Sequence, residues 1–254
     1  MKIQYCSDLH LEFVENKEFL IKNPITKKAD ILILAGDIVP FVALKNHNDF
    51  FDYLSDNYEY TYWVPGNHEF YYSDIAQNEG ILNKKIRSNV YLVNNTSVDI
   101  KNAKLIFSTL WSKISHNNQW IIQQSLSDFH IIKDNTKLFT PDKYNFLHSE
   151  SKSFIERELK HNMQEKTIVV THHVPTFMNY PEIYKGDALS QAFATELFDL
   201  IEKSNIDYWI FGHHHKNISD FRIGKTLLAT NQLGYVKYGE HLSFNRFEII
   251  DTNK

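Results

Sequence analysis

This chain contains five short apolar segments, each followed by polar residues that include Asp, Asn or His. These segments constrain its fold more than any other feature. The segments are rich in β-branched and aromatic residues and lie at residues 2–6, 30–35, 60–64, 167–170 and 207–211. Continuous apolar runs bounded by turn residues are typical of strands that are buried on both faces. Because the carboxyl ends of parallel strands meet at one edge of a sheet, we expect the polar residues that follow these segments to lie together.

The remaining periodic segments predict the other elements of the fold. Further strands are predicted at residues 90–93, 104–110, 225–230 and 246–250. Helices are predicted at residues 49–54, 74–86, 146–159 and 191–201, the second of them behind the capping residue Ser73. Strands that alternate with helices indicate an α/β protein with helices flanking the sheets. The length of 254 residues and the lack of a linker predict one domain over 1–254, with an irregular insertion at about 112–145 in which we expect substrate choice to reside.

Charge and cysteine content exclude several classes of protein. The chain has 27 basic and 31 acidic residues and a net charge of −4, so a broad basic face for nucleic acid is not expected. Its one cysteine, Cys6, excludes an internal disulfide and a cysteine-based zinc finger. The first residues do not resemble a signal peptide, and no window approaches the roughly 20 apolar residues of a membrane span. We therefore expect a cytoplasmic protein with no membrane partner.

The polar residues behind the five segments include oxygen and imidazole donors. They are, in chain order, Asp8, His10, Asp37, Asn67, His172, His213 and His215. Nitrogen and oxygen donors without a thiolate suit first-row ions such as Mn, Fe or Zn. Seven donors exceed the needs of one tetrahedral site and suit two divalent metal ions that share a carboxylate. Two such ions can hold the attacking and leaving oxygens of a phosphoryl displacement and supply hydroxide near neutral pH.

The order of these residues resembles the signature of the calcineurin-like metallophosphoesterases. The blocks that carry the resemblance are Asp8-x-His10, Gly36-Asp37, Gly66-Asn67-His68-Glu69, His172 and Gly212-His213-x-His215. Any block alone is a weak signal, whereas five in one order are specific. The resemblance implies a four-layer αββα sandwich with a metal site at the C-terminal ends of the strands.

The resemblance also implies a role for each residue. One metal ion would be held by Asp8, His10 and His215. The other would be held by Asn67, His172 and His213, with Asp37 bridging the two. His68 would be the general acid that protonates the leaving group, oriented by a carboxylate for which Asp8 and Asp37 are the candidates.

Finer features resemble a bacterial-type Ser/Thr-phosphatase-like group of this superfamily. They are Asp8-Leu9-His10-Leu11-Glu12, Leu110-Trp111, Ser127-Asp128-Phe129, Phe139-Thr140-Pro141 and Thr171-His172-His173-x-Pro175. The chain departs from the usual pattern at His214, where Thr is common. The choice between His172 and His173 as a ligand is open from sequence, and we favour His172 because it stands nearer to the strand end.

The sequence therefore predicts a dinuclear metal-dependent phosphoesterase. A metal-bridging hydroxide would attack phosphorus in line, and His68 would protonate the leaving group. A phosphodiesterase acting on a small nucleotide-like ester is favoured because no Arg/Lys cluster lies near the metal blocks, although the fold can bring Lys216 or Arg222 inward. Tyr71 and Tyr72 are interpreted either as a stacking surface for a base or aryl group or as packing. The alternatives are a non-catalytic scaffold on the same fold and a nuclease of the same family.

Overall fold

The computed structural model describes residues 1–252, and their strands form two six-stranded sheets and a short hairpin. The first sheet contains, in spatial order, β14 (Ile249–Asp251), β1 (Lys2–Cys6), β2 (Ile31–Ala35), β3 (Tyr60–Val64), β5 (Val90–Asn94) and β4 (Leu82–Arg87). Strands β1, β2, β3 and β5 are parallel, and antiparallel β14 and β4 form the edges. In register, Ile3 pairs with Ile31 and Ile33 with Tyr62.

The second sheet repeats this plan of four parallel strands between antiparallel edges. It contains, in spatial order, β12 (Phe221–Ile223), β13 (Thr226–Thr230), β11 (Tyr208–Phe211), β10 (Lys166–Thr171), β7 (Ala103–Ser108) and β6 (Thr96–Ile100). The hairpin consists of β8 (Lys133–Asp134) and β9 (Lys137–Leu138). In both sheets the parallel strands end at one edge, as the apolar segments predicted.

Alternating side chains explain how the two sheets and the helices form layers. In β2, Ile31 and Ile33 pack into a core shared with Ile168 of the second sheet. Leu32 and Leu34 point the other way, into a core with helix residues. A further core covers the outer face of the second sheet.

The helices supply the outer layers. They are α1 (Val14–Lys22), α2 (Asn48–Asn57), α3 (Gln119–Ser125), α4 (Asp128–Ile131), α5 (Pro141–Lys160), α6 (Ser190–Phe193) and α7 (Phe198–Lys203). Leu20 and Phe51 bring α1 and α2 onto the first sheet, and Phe154 and Ile201 bring α5 and α7 onto the second. The predicted α/β sandwich is confirmed. No helix among the described residues is long and apolar enough to cross a membrane.

The predicted helix over residues 74–86 is wrong. That segment contains a single 3-10 turn, Ile75–Gln77, followed by strand β4. The Asp74 carboxylate accepts hydrogen bonds from the backbone N–H groups of Asn135 and Thr136, and β4 pairs with β5. The local sequence pattern of this segment favours a helix, but its backbone groups form hydrogen bonds in a sheet instead.

Two other predictions need correction. The helix over residues 191–201 is divided into α6 and α7, because the intervening backbone bonds to Val174: Val174 N–H donates to Phe193, and Thr195 N–H donates to Val174. The insertion at 112–145 holds α3, α4 and the hairpin rather than irregular chain. Its buried Phe129 and Phe139 pack in a core of their own.

Candidate metal centre

The seven predicted ligands follow strand ends of both sheets and are brought together by the fold. Residues after β1, β2 and β3 come from the first sheet, and residues after β10 and β11 come from the second. All seven are buried or nearly so, with His215 the most accessible. They are Asp8, His10, Asp37, Asn67, His172, His213 and His215.

The backbone at this edge is strained. Five predicted ligands lie in the left-handed region, with φ between 47° and 82°: Asp8, His10, Asp37, His213 and His215. Such a conformation costs about 1–3 kcal/mol for a non-glycine residue and persists where the surroundings over-determine it. Strain of this kind is concentrated at functional sites, so its position here supports a functional reading of the cluster.

Two glycines allow the loops to approach closely. Gly36 has φ +91°, and a Cβ on it would lie 2.2 Å from Nδ1 of His172. A Cβ on Gly66 would lie 2.2 Å from Oδ1 of Asp37 and 2.7 Å from Nε2 of His172. Only glycine fits at either position, because it has no Cβ.

The first cluster consists of Asp8, His10, Asp37 and His215, whose candidate ligand atoms all lie within 4.8 Å of one another. Nε2 of His10 is 3.0 Å from Nε2 of His215 and 3.8 Å from Oδ2 of Asp37. Nε2 of His215 is 3.4 Å from Oδ1 of Asp8. Two imidazole nitrogens that face each other beside carboxylate oxygens in a buried site fit a divalent cation.

The second cluster consists of Asp37, His172 and His213. Nε2 of His172 lies 3.0 Å from Nδ1 of His213, 3.4 Å from Oδ2 of Asp37 and 3.2 Å from Oδ1 of Asn67. Asp37 belongs to both clusters through the same oxygen, as a bridging carboxylate would. The donor set therefore suits a pair of ions.

Hydrogen bonds on the outer side of the clusters fix the orientation of these side chains. Nδ1 of His215 donates to Glu240 at 2.8 Å, and Nδ1 of His172 donates to the carbonyl of Ala35 at 2.9 Å. Nδ2 of Asn67 donates to Asp128 at 2.9 Å, which leaves its Oδ1 facing the second cluster. Partners of this type orient ligands in metal sites.

His68 lies beside the first cluster and is held by Glu12. Nδ1 of His68 is 2.9 Å from Oε1 of Glu12, which also accepts from Nδ1 of His10 at 3.2 Å. The expectation that Asp8 or Asp37 orients His68 is therefore wrong: Glu12 does so, while Asp37 accepts the backbone N–H of His68. Glu12 is part of the family resemblance at residues 8–12, but the sequence does not show how far Glu12 lies from His68.

The electrostatics around His68 favour its protonated form. Burial lowers the pKa of His68, but the carboxylates of Asp37 and Glu12 raise it more, so that it lies above the ordinary value. Burial likewise raises the pKa of Glu12, but hydrogen bonds from His10 and His68 bring it to about 2. The ring of His68 stacks on Tyr71 at 4.0 Å, and its Nε2 lies 3.4 Å from the hydroxyl of Tyr235.

Glu69 is a further residue whose role the sequence did not reveal. Its fully buried carboxylate accepts backbone N–H groups of Asp37, Ile38 and Gly66. It therefore ties the loop after β2 to the loop after β3 and so fixes the shared carboxylate of both clusters.

The neighbouring histidines take other positions. Nδ1 of His173 donates to the carbonyl of Thr109 at 3.2 Å, whereas His172 belongs to the second cluster, so the geometry favours His172 as the ligand. Nδ1 of His214 accepts from Gln232 at 2.9 Å, which turns that ring away from the clusters. The other histidines, outside any motif, contribute to neither cluster: His47, His116, His130, His148, His161 and His241.

A cleft of about 380 Å³ opens onto the two clusters. One wall includes Leu126 of the insertion, and the other includes Tyr184 and Phe193. Within residues 1–252, no lysine or arginine lines this cleft. Lys216 is not among its lining residues, and Arg222 lines a separate surface depression.

The fold and these clusters define the class of protein: an α/β sandwich of the dinuclear metal-dependent hydrolase type. The family model described as calcineurin-like phosphoesterase matches residues 1–217, and the chain belongs to this family. The resemblance found in the sequence is thus confirmed. The family uses a dinuclear divalent metal site.

The chain is also similar to individual proteins. It is 34% identical, over 278 aligned positions, to an uncharacterized protein of Acanthamoeba polyphaga mimivirus, covering 99% of this chain and 97% of that protein. Its fold resembles that of the phosphopantetheinyl hydrolase PptH of Mycobacterium tuberculosis, with a TM-score of 0.68, 17% identity and coverage of 93% of this chain and 90% of that one. A dimetal phosphatase of Danio rerio gives a TM-score of 0.50, 12% identity and coverage of 91% and 87%. At these identities both structures show likeness of fold alone.

Proposed function

We propose that this protein is a dinuclear metal-dependent phosphodiesterase with His68 as its general acid. The observation that carries the proposal is the combination of two donor clusters that share Asp37 with a histidine beside them, His68, which is held by Glu12. The first cluster would hold one ion, and the second cluster together with Asn67 would hold the other. When bound, two divalent cations, for which Mn, Fe and Zn are the candidates, make hydroxide available from water and neutralise charge on the phosphoryl group.

In this proposal, His68 transfers a proton to the leaving group. Its Nδ1 donates to Glu12, so the proton to be transferred is the one on Nε2. His68 lines the cleft together with Asp37, which puts it within the space where an ester would bind. A leaving alkoxide that receives this proton departs as an alcohol, and a group positioned in this way contributes about 10²–10⁴-fold to the rate.

The charge of the cleft supports a diester rather than a monoester. A phosphomonoester carries two negative charges near pH 8, and enzymes that bind it often use arginine or lysine to pair the second one. The cleft is lined instead by the carboxylates of Asp187 and Glu240, and no lysine or arginine of the described chain lines it. A phosphodiester has a single charge, for which the predicted cations suffice. The same lining disfavours a nuclease, whose substrate backbone requires a basic groove.

Turnover by metal-stripped protein titrated with Mn²⁺ tests the proposal. We expect hydrolysis of bis(4-nitrophenyl) phosphate to rise until about two ions are bound per chain. His68→Ala should bind both ions and lose turnover of methyl phenyl phosphate, whose poor leaving group needs the proton, far more than turnover of the 4-nitrophenyl diester. His116→Ala, which removes an exposed histidine outside the cleft, is the matched control. Two bound ions with no hydrolysis of any ester would contradict the proposal and favour the scaffold alternative.

A change of cleft charge tests the diester preference separately. Ser125 is exposed and lines the cleft, so an arginine side chain fits there without disturbing the core. Ser125→Arg is expected to raise kcat/KM for 4-nitrophenyl phosphate relative to the diester by about 10-fold, the effect of one charge-assisted contact. Ser125→Gln, which adds length without charge, should leave the ratio unchanged.

A further inference from the structure

The walls of the cleft carry more aromatic surface than the proposed chemistry requires. Five aromatic side chains of the described chain line it, and three of them contact the predicted machinery: Tyr71 stacks on His68, Phe193 stacks on His213 at 4.6 Å, and the hydroxyl of Tyr235 lies 3.4 Å from Nε2 of His68. Burial and the Asp128 carboxylate raise the pKa of Tyr71, so its phenol stays protonated as a hydrogen-bond donor to Asp128.

Tyr180 and Tyr184 are the two lining aromatic residues that are not in contact with the predicted catalytic histidine or with a predicted ligand. Their ring centroids lie 6.1 Å apart, with the ring planes at 53°. Tyr180 is buried, whereas Tyr184 is only half-buried and presents ring surface at the cleft. The carbonyl of Tyr184 accepts a hydrogen bond from Ser190 Oγ at 2.7 Å, which fixes the turn that carries the ring.

The other lining residues of the cleft are of mixed character. Leu126 and the small side chains of Ser125 and Ser127 come from the insertion, and Leu189 follows Tyr184 by five residues in the chain. A volume of about 380 Å³ lies in the range of small-molecule sites. Aromatic rings, aliphatic groups and carboxylates, with no lysine or arginine of the described chain, favour a flat, uncharged group over an anionic one.

We propose that this cleft binds an uncharged planar ring, aryl or heterocyclic, carried by one ester group of the phosphodiester, and that Tyr184 is the residue that selects for it. The inference rests on the proposed phosphodiesterase function and names its substrate class. The ring that Tyr184 contacts belongs to the ester group retained in the product, while the other ester group leaves. Tyr184 therefore contributes to binding rather than to proton transfer.

Two diesters with one leaving group test this inference. Phenyl 4-nitrophenyl phosphate and methyl 4-nitrophenyl phosphate are both monoanions and both release 4-nitrophenolate, so they differ in the retained group. We expect kcat/KM for the phenyl ester to exceed that for the methyl ester by about 10-fold, the size of one stacking contact. Tyr184→Leu should reduce this ratio towards one, chiefly through KM, and Tyr184→Phe should restore it.

The controls separate the possible failures. Tyr72→Leu removes a tyrosine that is 72% exposed and lies outside the cleft, and it should leave the ratio unchanged. Hydrolysis of both esters with equal kcat/KM would overturn the inference and leave the phosphodiesterase function standing. A ratio that survives Tyr184→Leu would overturn the role of Tyr184. No hydrolysis of either ester by Mn²⁺-loaded protein would instead overturn the proposed function.

Discussion

Replacement of Glu12 by glutamine is the most informative perturbation of the predicted acid. One oxygen of Glu12 accepts from Nδ1 of His68 at 2.9 Å and from Nδ1 of His10 at 3.2 Å. Glutamine keeps the size and an acceptor oxygen but removes the negative charge. We expect Glu12→Gln to lower the pKa of His68, because the carboxylate helps to raise that pKa above its ordinary value.

The magnitude follows from the type of contact. A hydrogen bond between charged groups contributes about 1.5–3 kcal/mol. One pKa unit corresponds to about 1.36 kcal/mol, so the pKa of His68 should fall by about 1–2 units. As pH rises through this pKa, the imidazole loses the proton that the leaving group needs. The alkaline limb of the kcat/KM profile should therefore move to lower pH by the same amount.

The assay measures kcat/KM as a function of pH for a methyl aryl phosphodiester with a poor leaving group. The metal content of each protein is checked before the measurement. Glu240→Gln is the matched control, because Glu240 holds Nδ1 of His215 at 2.8 Å in the same cluster and has no hydrogen bond to His68. Glu240→Gln should weaken metal binding and leave the alkaline limb in place. A fully metallated Glu12→Gln protein with an unshifted limb would refute the assignment of Glu12 as the positioning residue.

The remaining predictions concern the two clusters. Asp128→Ala should weaken binding of one ion by about 10–100-fold, measured by Mn²⁺ titration, because the Asn67 amide loses its orienting acceptor. Gly66→Ala should abolish tight metal binding while circular dichroism stays native, since its Cβ would lie 2.2 Å from a cluster carboxylate; unchanged binding would contradict the close approach. His172→Ala should lower the stoichiometry from two ions to one and His173→Ala should not; the reverse result would make His173 the ligand. Chelation should lower the melting temperature, because a cation at 100 times its Kd stabilises the fold by about 2.7 kcal/mol; an unchanged melting curve would count against a bound metal.

Local patterns predicted the strands well and the helices less well. Buried parallel strands are continuous apolar runs and are easily recognised. Each of the nine predicted strands is present, although the one predicted over residues 246–250 is observed as the shorter β14, Ile249–Asp251. The helix predicted over residues 74–86 failed because β4 pairs with β5. Helix α1 was not predicted. Its apolar residues do not mark one buried face, because Val14 and Ile21 are exposed and the buried residues are Asn16 and Leu20.

The sequence by itself determined the candidate ligands, because it shows which residues follow the apolar strands and because their order matches the family signature. The same signature includes the predicted general acid His68, which directly follows Asn67 in the chain. The continuous apolar runs indicated strands that are buried on both faces, whereas the arrangement as two stacked sheets was implied by the family resemblance.

Only the tertiary structure decided which groups surround these residues. Glu12, Asp128 and Glu240 lie in different elements, and their contacts with His68, Asn67 and His215 depend on how α4 and the last loops pack. A hydrogen bond requires atoms within about 3 Å, and sequence spacing does not fix a distance between elements that are joined by loops. The same holds for the cleft: its lining has no lysine or arginine of the described chain, which supports a diester with an uncharged ring. That lining combines residues of distant segments, 125–127 and 180–193, with residues that follow strands of both sheets.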